Sequence, residues 1–160
     1  MFILFPAMAS ADCDHLFLSC TIGQGAKTLQ VCNSDTHATY RFGPTGGAPE
    51  LALTHPVTDV DLIPWPGVGS SIWEEVTFHN DGHRYLVYGN IHRQYPQDED
   101  ADIIVTQTGG VLVLKGEETV SDLTCDAGSI DFPWGQGIHD AKVAAGQCYD
   151  RATRTWSACQ

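Results

Sequence analysis

The residue types needed for acid–base or metal chemistry are abundant, but their spacing forms no recognised set. The chain carries seven histidines, most of them in predicted loops or at strand ends. His79 and His83 flank the Asp81-Gly82 turn and fall on opposite faces or diagonally, so they make no chelating pair. Glu74 and Glu75 are neighbours on a predicted strand, and their side chains point to opposite faces. We therefore predict no catalytic group, no metal ion and no cofactor.

The motifs of nucleophilic and phosphate-binding sites are also missing. The segment Gly69-Ser70-Ser71-Ile72 does not match the GxSxG nucleophile elbow. The acidic run Asp98–Asp102 lacks the central glycine and closing glutamate of an EF-hand loop. A serine, a histidine and a carboxylate from distant positions could still assemble into a triad, so a secreted hydrolase stays open as an alternative.

Six cysteines predict disulfides rather than reactive thiols or zinc ligands. An even count beside an export signal is typical of disulfide-bonded proteins. Cys148 and Cys159 bracket ten residues and are predicted to pair, closing a C-terminal hairpin. The pairing of the other four stays open, although a bridge from the first strands to the late cysteine would be consistent with their positions. Those four are Cys13, Cys20, Cys32 and Cys125.

The chain begins with a short apolar run that resembles the remnant of a signal peptide. Residues 1–11 end in Ala9-Ser10-Ala11, an A-x-A cleavage signal. The run is far shorter than the ~20 residues that span a bilayer, so no membrane partner is expected. We predict a single domain over residues 12–160, located in the periplasm or secreted.

The net charge of −12 limits the choice of partner. Phosphate binding needs clusters of lysine and arginine, so nucleic acid is not expected. A cationic protein partner would be attracted. Solubility alone also explains an acidic surface.

The stretch Ser71–Gly89 predicts the central hairpin. Asp81-Gly82 suits a two-residue type I′ turn, which needs a positive φ at both positions. That turn places Val76 opposite Val87 and Phe78 opposite Tyr85, so these four side chains share one face. A slip of one residue would mix apolar and polar side chains.

The remaining pattern predicts a mainly β fold: an antiparallel barrel or sandwich of about eight strands with a disulfide-tied C-terminal extension. Gly23-Gln24-Gly25 and residues 43–49 join two earlier hairpins. Residues 55–70 are predicted to form a long irregular connection with Trp65 partly exposed. Thr108-Gly109-Gly110 is predicted to separate two strands, and residues 139–145 to form a short helix. The predicted core is Tyr40, Phe42, Leu51, Leu53, Val76, Phe78, Tyr85, Val87, Ile104 and Val113.

The order of features resembles that of a group of exported proteobacterial proteins of unassigned function. The features are a strand ending in Cys20, then TLQVC, YRFG with ELAL, SSIWEEVTFHNDGHRYLVYG, ADIIVTQTGGVLVL and DLTCD. Their layout is also similar to that of the periplasmic inhibitors of C-type lysozyme, small antiparallel β-barrels that insert a Gly- and Ser-containing loop into the lysozyme cleft. The resemblance implies that Gly69-Ser70-Ser71 is the corresponding loop. The inhibitors' SGxxY motif is absent here, and the residues after Cys125 have no counterpart.

These observations predict an exported protein-binding module, with a lysozyme-like cell-wall hydrolase as the most specific partner. The binding surface would combine the loop of residues 64–71 with the tip of the central hairpin. Its predicted residues are Trp65, Gly69, Ser70, Ser71, Asp81, His83 and Tyr85. The alternatives are a structural envelope protein without a discrete site and the secreted hydrolase mentioned above.

Overall fold

The computed structural model describes residues 13–160, so the predicted leader lies outside the described residues. The first half of the chain forms a four-stranded antiparallel sheet in which consecutive strands are neighbours. Its strands are β1 (His15–Ile22), β2 (Lys27–Asn33), β3 (His37–Pro44) and β4 (Leu51–Pro56). The two early hairpins predicted from the glycine-containing loops are therefore present.

A second antiparallel sheet of five strands follows, again with consecutive strands as neighbours. A single 3-10 turn over Val57–Asp59 leads into it. Its strands are β5 (Asp61–Ile63), β6 (Ser71–Asn80), β7 (His83–Gln94), β8 (Ile104–Lys115) and β9 (Glu118–Thr124).

The C-terminal segment adds a helix and a small hairpin. Helix α1 spans Gly137–Ala144, which confirms the short helix predicted there. Strands β10 (Gln147–Asp150) and β11 (Thr155–Ala158) pair with each other. The fold is mainly β with antiparallel sheets and a disulfide-tied C-terminal segment, as predicted. The described residues contain eleven strands rather than about eight. The three additional strands are short: β5 lies in the connection that was predicted to be irregular, and β10 and β11 lie in the C-terminal extension.

Side chains from both large sheets pack into one hydrophobic core. The ring of Tyr40 on β3 lies 5.8 Å from that of Phe78 on β6 and 5.5 Å from that of Tyr85 on β7, measured between centroids. Burial of these faces supplies the main driving force for folding. The predicted core residues are buried or packed against this core with one exception: Ile104 is 56% exposed.

The central hairpin has the predicted turn and register. Asp81 and Gly82 both have positive φ, at 50° and 73°. Phe78 pairs with Tyr85 and Val76 with Val87. Both valines and Phe78 are fully buried.

Two predictions of local structure were wrong. Gly109 and Gly110 do not separate two strands, because β8 runs without interruption through both. A Cβ at Gly109 would lie 2.8 Å from Leu18 Cδ1, and one at Gly110 would clash with the backbone of Leu123, so these glycines permit close packing. The connection over residues 55–70 also contains the 3-10 turn and β5, in which buried Leu62 pairs with Val76.

Three disulfides tie the described residues together. Cys148 pairs with Cys159, as predicted. Cys20 pairs with Cys125 and joins the first sheet to the end of β9, and Cys13 pairs with Cys32. This content indicates folding in an oxidising compartment. Among residues 13–160, no helix has the length and apolar character required to cross a membrane.

Candidate functional site

A cavity of about 640 Å³ lies between the C-terminal segment and the open edge of β6. Strand β5 pairs with β6 only as far as Ile63 opposite Glu75, after which the loop of residues 64–70 departs. Trp73 and Glu74 therefore border the cavity at an edge that no strand covers within the described chain. All four tryptophans of the protein line this cavity: Trp65, Trp73, Trp134 and Trp156.

Trp65 and Trp134 pack against each other and form one wall of the cavity. Trp65 donates its indole N–H to the carbonyl oxygen of Val68 at 3.1 Å, which fixes the ring against its own loop. The ring of Trp134 meets that of Trp65 edge to face, with centroids 5.4 Å apart and an interplanar angle of 87°. Such aromatic pairs hold two rings in a defined relative orientation.

Trp156 on β11 also lines the cavity and is held from several sides. Its indole N–H donates to the carbonyl oxygen of Leu62 at 2.7 Å, which ties the C-terminal hairpin to β5. Tyr149 and His139 pack against the same ring, with centroids 5.2 and 5.3 Å away. The buried Lys142 places its Nζ 5.2 Å from the ring centre. The ring of Trp156 is therefore fixed before any ligand arrives.

Glu74 is the one carboxyl group among the residues that line this cavity. It is only 5% exposed. It pairs across the sheet with Gly89, and Phe132 fills the space that a side chain at Gly89 would occupy. The segment containing Phe132 and Trp134 thus helps to remove the carboxyl group from water.

Burial raises the pKa of Glu74 to about 7, because desolvation disfavours the charged form. Contacts with the backbone of Trp65 and the side chain of Trp134 act in the opposite direction. The Trp134 contact falls outside hydrogen-bond geometry, since its buried Nε1 has no hydrogen-bond partner among residues 13–160. The lining of the cavity therefore includes a buried carboxyl group whose pKa lies near neutral pH.

Two arginines complete the rim. Arg151 and Arg154 both line the cavity from the turn between β10 and β11, and both are exposed. Asp150 fixes the start of that turn by accepting the backbone N–H groups of Ala152 and Thr153. These hydrogen bonds lower the pKa of the Asp150 carboxyl group. The bracketing disulfide Cys148–Cys159 holds the base of the hairpin.

The structure separates the residues that the sequence placed on one predicted binding surface. Trp65 lines the cavity, and Gly69 and Ser70 are exposed on the loop beside it. The Ser71 hydroxyl lies 2.9 Å from Nδ1 of His92. Asp81 and His83 lie at the turn between β6 and β7. This turn is roughly 25 Å from Trp73 at the cavity, at ~3.3 Å per residue along β6. Tyr85 packs against Tyr40 beside the core.

Sequence reasoning missed most of the cavity. The residues that it assigned to no site are Trp73, Glu74, Trp134, Arg151, Arg154 and Trp156, although Glu74 was considered as a neighbour of Glu75. One signal was available: in the predicted register Glu74 shares the apolar face with Val76 and Phe78, so alternation alone places a carboxyl group on the buried side. The convergence of four tryptophans carried no local signal.

No protein-family model matches the chain, and neither the comparison with curated proteins nor that with solved structures finds a match. The lining combines four aromatic rings with one buried carboxyl group and two arginines, the mixture of apolar walls and a few polar groups that is typical of a ligand site.

Proposed function

We propose that the protein is an exported binding module that holds a saccharide in the tryptophan cavity. The observation that carries the proposal is that all four tryptophans of the chain converge on one cavity beside a buried carboxyl group. They come from the loop after β5, from β6, from the segment before α1 and from β11. Chance placement on a surface would scatter them.

The chemistry of the lining matches that of a sugar ring. The faces of aromatic rings carry partial negative charge, and the C–H groups of a sugar ring carry partial positive charge, so the two pack face to face. A binding site also needs a few polar groups that fix the orientation of the ligand. Glu74, Arg151 and Arg154 are the charged residue types in the lining that would supply hydrogen-bond partners for ring hydroxyl groups.

The size of the cavity is appropriate to a small ligand. Its volume of about 640 Å³ lies within the range of roughly 300–1,000 Å³ that is usual for ligand sites. The three disulfides support a place in the periplasm or outside the cell. Saccharides of the cell envelope are abundant in both.

Tryptophan fluorescence tests the proposal directly, since every tryptophan lines the cavity. Titration of the oxidised protein with neutral and acidic oligosaccharides should change the emission in a saturable way. Trp65→Ala and Trp156→Ala should each weaken binding by roughly 5- to 150-fold, because loss of an aromatic ring that stacks on a nucleobase costs about 1–3 kcal/mol and a similar loss is expected here. The control is Tyr95→Ala, which removes an exposed aromatic ring outside the lining. A flat titration with every saccharide would refute the proposal.

A second candidate function is inhibition of a lysozyme-like hydrolase through the loop of residues 64–71. The observation that favours it is Val68, which is 71% exposed at the tip of this loop. The hydrogen bond from Trp65 to its carbonyl holds the tip in place. A rigid apolar tip is suited to entering a cleft of a partner, and the acidic charge would attract a basic enzyme.

Turbidity loss of a cell-wall suspension separates the two candidates. Inhibition of C-type lysozyme at stoichiometric amounts, abolished by Val68→Asp and retained in Trp156→Ala, would support the second. Full lysozyme activity in the presence of the folded protein would eliminate it and leave the saccharide proposal untouched.

A further inference from the structure

We infer that the ligand of the tryptophan cavity is an acidic saccharide whose carboxylate is held by Arg151 and Arg154. The inference deepens the proposed function and rests on it. It concerns the charge of the ligand, which the aromatic walls alone do not specify.

The distribution of charge is the first argument. The chain has 20 acidic residues and only 8 lysines and arginines. The lining of the cavity reverses that ratio, with Arg151 and Arg154 against Glu74 alone. A cavity in a protein of net charge −12 would be expected to carry the sign of the whole surface. The local reversal therefore points to a ligand of negative charge.

The second argument is that the guanidinium groups of Arg151 and Arg154 form no ion pair within residues 13–160. The ion pairs among residues 13–160 involve Lys27, His79 and His139, and neither arginine of the cavity. A planar guanidinium group binds a carboxylate through two parallel hydrogen bonds, which gives both affinity and orientation. Because Asp150 fixes the turn that carries both arginines, their backbone positions are set before binding.

Glu74 is compatible with an anionic ligand below neutral pH. An ionised carboxylate inside the cavity would repel such a ligand. Glu74 is 5% exposed, and burial raises its pKa to about 7, so below neutral pH it is mainly the neutral acid, which can donate a hydrogen bond to the carboxylate of the ligand.

The remaining surface limits the length of the ligand. Two of the eight lysines and arginines line this cavity, while the net charge of the protein is −12. A long polyanion would be repelled as soon as it left the cavity. The geometry therefore favours a short acidic oligosaccharide, or the exposed end of a chain, over an extended acidic polymer.

Two sets of matched probes test the inference: short oligomers of galacturonate and glucuronate, and the methyl esters of the same oligomers. Within each pair the ring skeleton is the same, and the ester replaces the negative carboxylate by an uncharged –COOCH₃ group. Tryptophan emission should show that the acid of the preferred ring skeleton binds at least about tenfold more tightly than its ester. The preference should shrink when sodium chloride is raised to 0.5 M.

Variants assign the preference to the two arginines. Arg151→Gln with Arg154→Gln should bring the acid down to the affinity of the ester while leaving the ester unchanged. Lys115→Gln, which removes an equal charge from an exposed site outside the lining, should keep most of the preference. Equal binding of acid and ester to the native protein would overturn the inference and leave the proposed function standing. Absence of any fluorescence change with acids, esters and neutral oligosaccharides alike would overturn both.

Discussion

Glu74 is an ionisable residue in a buried site that disfavours its charged form. It is 5% exposed, and its pKa is raised to about 7 by burial. An ordinary glutamate has a pKa near 4.3, so the folded protein binds a proton here that the unfolded chain releases. Stability should then fall as the pH rises from about 4.5 to 7, because the native state holds more protons than the unfolded state in that window.

Replacing the carboxyl group should therefore stabilise the protein increasingly as the pH rises above about 4.5, with the full gain reached above pH 7. We expect Glu74→Gln to raise the free energy of unfolding by up to roughly 3 kcal/mol at pH 8, the energy equivalent of the shift. At pH 4 the change should be close to zero, since both states then carry a protonated acid. Urea unfolding at the two pH values measures it.

The neighbouring glutamate provides the matched control. Glu75 lies on the other face of β6 and is partly exposed. Glu75→Gln should change stability by less than about 0.5 kcal/mol at either pH. A gain for Glu74→Gln that is the same at pH 4 and pH 8 would show that the effect comes from packing rather than from ionisation.

The elements differ in why their glycines are present. Gly82 has a φ of 73° in the β6–β7 turn, and a side chain there would meet open space. Gly89 and Gly110 instead lie within strands, where a side chain would strike Phe132 and the backbone of Leu123. Gly82 is required by the backbone conformation of the turn, whereas Gly89 and Gly110 allow a neighbouring segment to pack closely against the strand.

The turn glycine should show the cost of its conformation alone. We expect Gly82→Ala to destabilise the protein by about 1–2 kcal/mol, the penalty of a left-handed conformation for a residue with a Cβ. Gly135→Ala is the comparison, because Gly135 has no positive φ and no atom within 4 Å of an added Cβ. It should be neutral or slightly stabilising. Equal losses in both variants, measured by thermal unfolding, would contradict the assignment of the turn.

At the scale of the whole molecule, the disulfides join cysteines at very different separations along the chain. Cys20–Cys125 spans 105 residues and connects the first sheet with the end of the second. Cys148–Cys159 spans 11 residues within the C-terminal hairpin that carries Trp156 and both arginines of the cavity. The long bridge therefore supports the global fold, and the short bridge supports the site.

Removing the two disulfides in separate variants should distinguish an effect on the stability of the fold from an effect on saccharide binding. Cys20→Ser with Cys125→Ser should lower stability by roughly 4–5 kcal/mol, since loss of a bridge over about 100 residues releases the most chain entropy. Cys148→Ser with Cys159→Ser should cost about 2–3 kcal/mol and weaken saccharide binding at least tenfold while the two large sheets stay folded. Circular dichroism in urea and tryptophan emission measure the two effects. Unchanged saccharide affinity after loss of the short bridge would contradict the role given to the hairpin.

The sequence by itself determined the features that depend on neighbours along the chain. The register of the central hairpin follows from alternation on both sides of Asp81-Gly82, and the pair Cys148–Cys159 follows from the shortness of the segment between them. The mainly β class follows from the same repeated alternation. Each is a local property, because β pairing through a tight turn and closure of a short loop need no distant partner.

The tertiary structure alone decided what distant segments do to one another. Gly109 was predicted to break a strand, yet it continues β8 because Leu18 from β1 packs where its side chain would be. Ile104 looks like a core residue in sequence, but it is exposed. The cavity depends on the same kind of contact: Trp65, Trp134 and Trp156 are far apart along the chain, and only packing of the C-terminal segment on β5 and β6 brings them together. No periodicity in the sequence predicts this convergence, because the burial that stabilises it occurs between distant segments rather than within one segment.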